Sequence, residues 1–318
     1  MRAPVIAALL LPAALTAALT AACGRAEDAA APAAPALTKE QARTVLTSYA
    51  ATNARADKAL DPALLATVET GPQLDMDVAA YKLHAASRTK LRPYAFTAPR
   101  FYIPRLSGHP RWFAVDTESA AKGAKIRHAL LFVQDEAGGT WKLAADPQRR
   151  DGGPIDGIEL DAEGYARPAT GEGLSVAPAS LGEAHAVLLD SGPKAPGAAG
   201  IAAGSQTTQT YDVLQQVKSQ LAKARLTFGT RFSAVPGQTY ALRTADGGAV
   251  VWYVLQQQES YAGKGIPVAG DLIGLVPEGK ATSLTSTTLI QYLAAIPARG
   301  DASITGATRK AVAAETTP

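Results

Sequence analysis

Arg111-Trp112-Phe113-Ala114-Val115 and Ala129-Leu130-Leu131-Phe132-Val133 are short runs dense in aromatic and branched side chains, and how they are read decides the fold. Such residues suit the pleated, half-buried surface of a strand. Arg100-Phe101-Tyr102-Ile103 before them and Trp141-Lys142-Leu143-Ala144 after them have the same character. Gly108-His109-Pro110, Ala121-Lys122-Gly123 and Glu136-Ala137-Gly138-Gly139 separate the four runs. Strands punctuated in this way predict an antiparallel meander.

Upstream the period changes from two to 3.6. Thr38 with Gln41 three residues on is a capping box, and Ala42, Val45, Leu46 and Tyr49 form one apolar stripe of a helix running to Leu60. Asp61-Pro62 reads as the cap and first residue of a second helix, Pro62 to Thr70, stopped by Gly71-Pro72. A third helical piece covers Leu74 to Ser87. Helices first and strands after is α+β logic, a curved sheet whose concave face the leading helix closes. With its final Gly-Gly-Thr-Trp-Lys-Leu-Ala hairpin, this half resembles the NTF2-like and cystatin-like folds.

The order then repeats. Ser180 to Leu189 and Thr210 to Lys223 read as helices, with a Gly/Ala loop expected to be mobile between them, from Lys194 to Gln206. Strands are predicted at Arg225 to Ala234, Thr239 to Arg243, Ala249 to Gln256 and Thr282 to Ala295, and Asp246-Gly247-Gly248 supplies a hairpin turn. Val250 to Leu255 is continuously apolar, as a central strand covered on both faces would be. Ala302 to Val312 adds an edge strand before a frayed end at Ala313 to Pro318. The expected organisation is a signal peptide (1–22), a tether (23–37), an α+β domain (38–146), a linker rich in Gly, Pro, Asp and Glu (147–177) and a second α+β domain (178–315).

The leader sets the address. Arg2, an apolar run from Val5 through Leu19, small residues and then the chain's single cysteine, Cys23, make a secretory signal. Leu19-Thr20-Ala21-Ala22-Cys23 resembles the lipobox of bacterial lipoproteins, which implies a diacylated Cys23 as the first mature residue. The apolar run is shorter than the ~20 residues a membrane span needs, and Pro12 interrupts it. Ala-Ala-Ala-Pro-Ala-Ala-Pro then favours extended backbone, with a reach of about 40 Å at ~3.1 Å per residue. Phe101-Tyr102-Ile103-Pro104-Arg105, Pro110-Arg111-Trp112-Phe113-Ala114-Val115 and Leu131-Phe132-Val133 give the chain a further resemblance. It is similar over most of residues 40–300 to exported lipoproteins of high-GC Gram-positive bacteria, catalogued as a domain of unknown function. That resemblance implies no activity.

Cleavage leaves 296 residues with a net charge of about +2, too balanced for a nucleic-acid binder, and no Lys/Arg run exceeds two. With Cys23 lipidated, no disulfide can form. His84, His109, His128 and His185 lack the spacing of zinc ligands and read as surface or hydrogen-bonded side chains. Glu159-Leu160-Asp161-Ala162-Glu163-Gly164 opens like a calcium loop but has Thr170 where the bidentate acid belongs, so it reads as an acidic turn. Ser87-x-x-Lys90 and Ser119-x-x-Lys122 match the Ser-x-x-Lys of penicillin-binding enzymes without its companion motifs. Gly263-Lys264-Gly265 lacks the spacing of a phosphate loop and reads as a turn, as does Arg299-Gly300-Asp301. Asp75 and Asp77, two apart on a helix, point to different faces and form no acid/base pair.

The expectation is therefore a non-enzymatic lipoprotein without cofactor, on the extracytoplasmic face of the cytoplasmic membrane. It would bind or scaffold envelope proteins or cell-wall components. An alternative is a carrier of a small apolar ligand in an NTF2-like pocket lined by Trp112 or Trp252. A third is an acyl-transfer enzyme using Ser87 or Ser119.

Overall fold

In a computed structural model describing residues 33–91, 95–121, 124–149, 153 and 155–318, two sheets carry the chain, each preceded by its own helices. Cys23, the signal peptide and most of the tether lie outside the described residues. The first half holds α1 (Lys39–Ala59), α2 (Pro62–Leu65), α3 (Gly71–Ala86), β1 (Phe96–Tyr102), β2 (Arg111–Ala121), β3 (Ala124–Gln134), β4 (Lys142–Ala145) and β5 (Gln148–Arg149). The second holds α4 (Pro178–Ser191), α5 (Thr208–Lys223), β6 (Thr227–Ala234), β7 (Tyr240–Arg243), β8 (Ala249–Pro267), β9 (Lys280–Ile296) and β10 (Ser303–Thr317). Both sheets are antiparallel. Their orders are β1-β2-β3-β4, with β5 on β3, and β10-β9-β8-β6, with β7 on β8. The α+β class expected from the pattern is the class observed.

The local signals explain most elements. Thr38 Oγ1 accepts the Gln41 N–H at 3.1 Å while Gln41 Oε1 accepts the Thr38 N–H at 2.8 Å, closing the capping box on α1. Asp61 caps α2 by accepting from Ala63 and Leu64. α2 nevertheless ends at Leu65, because Val68 to Thr70 is drawn out into an extended segment that bonds Leu143 on β4. Gly71-Pro72, expected to stop that helix, starts α3 instead. Proline lacks the N–H that a first turn leaves unused, so the same dipeptide serves either end.

α1 closes one face of the first sheet by packing Ala42, Leu46 and Tyr49 on Phe113, Val115, Leu130 and Phe132. The opposite face meets the second sheet. Trp112, Ala114, Ala129 and Leu131 share a cluster with Leu242, Val250, Trp252 and Leu293. The other face of β8, with Val251, Tyr253 and Leu255, packs under α4. α4 lies so close that a Cβ on Gly182 would sit 3.1 Å from that of Ala234. Val250 to Leu255 is thus covered on both faces, as its unbroken apolar run requires.

Several segments are more ordered than their composition suggests. The expected frayed end is strand, since β10 pairs with β9 as far as Thr317. The Gly/Ala loop before α5 is pinned: Ile201 bridges to Ala302, and Ala198 and Ile201 are buried under α4. Gly263-Lys264-Gly265 is a bulge inside β8, where the register on β9 slips between Ala262 and Ile266. Residues 33–37, expected in the tether, are held by a Pro35–Arg105 bridge and by burial of Ala36 and Leu37. Between the halves, Ile158 and Pro168 bridge to the second sheet at Thr244 and Leu242, and Ala166 bridges to Pro104.

Candidate functional site

The second sheet leaves part of its helix-covered face open. Odd positions of β8 point to that face, and α4 buries Val251, Tyr253 and Leu255 there. Beyond α4 the roof is α5. Its stripe of Val213, Leu214, Val217 and Leu221 faces inward at helical spacing, yet no residue of α5 is fully buried and Val213 is 54% exposed. Between helix and sheet lies a cleft of about 550 Å³, within the few hundred to a thousand Å³ of ordinary ligand sites. Its floor is Phe232, Ile290 and Tyr292, its roof Val213 and Leu214, and its mouth Gln257, Glu259 and Arg309.

The mouth is wired by hydrogen bonds. Arg309 Nη2 donates to Gln257 Oε1 at 3.3 Å, and Gln257 Nε2 donates to Glu259 Oε1 at 2.7 Å. Tyr261 donates its hydroxyl to Glu259 Oε2 at 3.1 Å. At the inner end His185 is buried between Tyr253 and Tyr292, 2.7 Å from the Tyr253 hydroxyl at Nδ1 and 2.9 Å from the Gln206 carbonyl at Nε2. A carbonyl only accepts, so Nε2 carries the proton and Nδ1 accepts from Tyr253. Burial lowers the His185 pKa to about 4 and keeps it neutral.

A second polar centre lies in the first half, on the face of the first sheet that α1 covers. Ser119 Oγ is 2.7 Å from His128 Nε2, and His128 Nδ1 is 2.7 Å from Asp146 Oδ2. Burial works against the charged imidazole, but the Asp146 carboxylate outweighs it, so the His128 pKa is raised. This is the order of a nucleophile, base and orienting acid. It is also sealed, because Ser119 and His128 are each 2% exposed and none of the three lines the cleft. Beside it Glu69, with no exposed surface, accepts from the Tyr49 hydroxyl at 3.0 Å, and Asp77 accepts from Gln73 at 2.8 Å. Burial, and after it the neighbouring Asp77 carboxylate, holds Glu69 far above the usual carboxylate range. Burial also raises Asp77, to about 6.

The residues singled out by motif fall into place unevenly. Trp112 and Trp252, expected as pocket lining, fill the contact between the sheets instead: Trp252 donates to the Ala129 carbonyl at 2.8 Å and Trp112 packs edge-on against Tyr240. Both indoles are consumed by packing, and the cleft lies on the other face of β8. Ser87 is the exposed C-cap of α3, and Lys122 lies outside the described residues. Asp161 and Glu163 grip Arg105 at 2.6 and 3.0 Å, so the calcium-like stretch is an acidic turn holding a guanidinium. His84 bonds Thr89, and His109 is exposed. Asp75 and Asp77 do diverge, but Glu69 is the partner of Asp77 that helical spacing could not show. Among the described residues no group of three or more His, Cys, Asp or Glu is placed to hold a metal ion. Nor is any helix among them long and apolar enough to cross a membrane.

Three comparisons place the chain among known proteins. An uncharacterized lipoprotein of Streptomyces coelicolor is 30% identical over 287 residues, covering 86% of this chain and 84% of that protein. One from Streptomyces avermitilis is 30% identical over 238 residues (71% and 67%), and a further one from Streptomyces coelicolor is 29% identical over 295 residues (85% and 79%). No solved structure matches. Residues 33–316 match the family described as a domain of unknown function, DUF8094, and the chain belongs to that family.

Proposed function

We propose that this is a membrane-tethered, non-enzymatic binding module that holds a small ligand in the cleft under α5. The observation that carries the reading is the mismatch in α5, a strongly amphipathic helix with no fully buried residue roofing a cleft of about 550 Å³ whose floor is Phe232, Ile290 and Tyr292. An apolar stripe normally sits against its core; of this one Leu214 packs on the core while Val213 is left exposed, leaving room for a guest. Acylation of Cys23, as in the lipoproteins it resembles, would hold the module on the extracytoplasmic face of the membrane, because two acyl chains anchor firmly. Native mass spectrometry of the protein extracted from its own envelope tests the reading. A copurifying small molecule, retained by the wild type and lost from Val213→Asp, is expected. A bare wild-type chain, captured with an envelope protein or cell-wall fragment instead, would favour scaffolding.

The geometry of Ser119, His128 and Asp146 favours a second reading, acyl transfer. In that chemistry the imidazole takes the hydroxyl proton as the oxygen attacks a carbonyl. It ranks second because the hydroxyl is buried, Ser119 being 2% exposed. On the binding reading the wild type stays dark with a fluorophosphonate. Labelling that disappears in Ser119→Ala would put acyl transfer in its place.

A further inference from the structure

Resting on that binding reading, we infer that the occupant of the cleft is a single-chain amphiphile with an anionic head group seated at Arg309. Val213, Leu214, Phe232, Ile290 and Tyr292 give the cleft one apolar side that suits a hydrocarbon chain, beside a polar wall that includes Ser205, Gln209 and Thr308. The mouth supplies one cation, and its chemistry is unspent. A guanidinium presents five N–H donors in a planar fork that fits a carboxylate or phosphate. Among the described residues Arg309 forms no ion pair, and its one hydrogen bond goes to the neutral Gln257 at 3.3 Å. Glu259 stands nearby, but its oxygens are engaged, one by Gln257 Nε2 and one by Tyr261. A carboxylate or phosphate entering the mouth would complete the Arg309 fork while its tail displaces water from the floor. Arg309 is exposed, so a neutral head would leave its fork to water and gain nothing from the charge, and a cationic head would be repelled.

Displacement of Nile red from the unlipidated Cys23→Ser chain provides the test, with dodecanoate, dodecyl phosphate and dodecanol as competitors. The anions should compete at least tenfold better than dodecanol, the effect of about 1.4 kcal/mol typical of a charge-assisted hydrogen bond. Arg309→Gln should remove that advantage and leave dodecanol unchanged, which also shows the cleft intact. The two anions against each other report whether a carboxylate or a phosphate is preferred. Dodecanol competing as well as both anions would overturn the anionic head while leaving the cleft a binding site. If none of the three competes, the binding reading falls with it.

Discussion

Gln291, on β9 of the second sheet and fully buried, accepts the backbone N–H of Asp146 at 2.7 Å, while the Asp146 carboxylate accepts from His128 in the first sheet. Thr308 on β10 adds a hydrogen bond to the Asp146 carbonyl at 2.8 Å. The orientation of the acid behind His128 is therefore fixed by strands of the other half. Replacing Gln291 with Leu leaves a buried N–H without an acceptor, which costs about 1–3 kcal/mol. Denaturant unfolding followed by tryptophan fluorescence should show that loss as a lower midpoint with an unchanged slope. Should the midpoint stay put, Gln291 is not what locks Asp146.

Glu69 and Asp77 make the first half sensitive to alkali. Both have folded pKa values raised above those of an unfolded chain, so the folded state holds extra protons. The stability they contribute is complete below about pH 4 and is lost as pH rises through about 6 for Asp77 and through the raised folded value of Glu69. Glu69→Gln keeps the acceptor for Tyr49 and removes one charge. This variant should be more stable than the wild type at pH 8 and should lose less stability between pH 4 and 8 in parallel urea melts. Identical pH profiles would show that Glu69 does not carry this pH dependence.

How far the sequence could be read follows from the same residues. Caps, strand runs and the twice-covered Val250 to Leu255 depend on neighbours along the chain, and they were legible. The continuous apolar run even announced the second layer. Ser119 and His128 were within reach too. Ala121 pairs with Ala124, and that register sets Thr117 opposite His128, with Ser119 a diagonal neighbour on the same face. Treating Ser119 as half of a Ser-x-x-Lys motif hid that relation. Glu69 and Asp77 were beyond reach, because Val68 to Thr70 pairs with β4 instead of continuing α2, which no local pattern shows. The cleft was also illegible, since α5 shows the amphipathic pattern of any docked helix, and only the packed structure reveals that Val213 is left exposed.

Trp252 separates packing from binding. Its indole donates to the Ala129 carbonyl across the two sheets, and the side chain is almost wholly buried. Trp252→Phe removes that bond and leaves a small void, so about 1–3 kcal/mol of stability should go. Nile red affinity should not change, because the cleft lies on the opposite face of β8. A variant that keeps its stability but loses the dye would return Trp252 to a pocket wall.

The two buried histidines respond to acid in opposite directions. The His128 pKa is raised, so its contribution is complete below about pH 6.5 and lost as pH rises through the folded value. His185 is lowered to about 4, so its contribution is complete above about pH 6.5 and lost as pH falls toward 4. Protonating His185 would put a cation between Tyr253 and Tyr292 at the inner end of the cleft, with its Nδ1 no longer able to accept from Tyr253. The shift corresponds to about 3 kcal/mol across that window. His185→Gln can keep a donor for Gln206 and an acceptor for Tyr253 without titrating, so the wild type should lose stability relative to this variant as pH falls from 7 to 4.5, the other titrating groups cancelling in the difference. Nile red release should follow the same course, in the wild type alone, because Tyr292 is both a neighbour of His185 and part of the cleft floor. Stability that declines equally in both proteins would assign the acid sensitivity to other groups and detach His185 from the cleft.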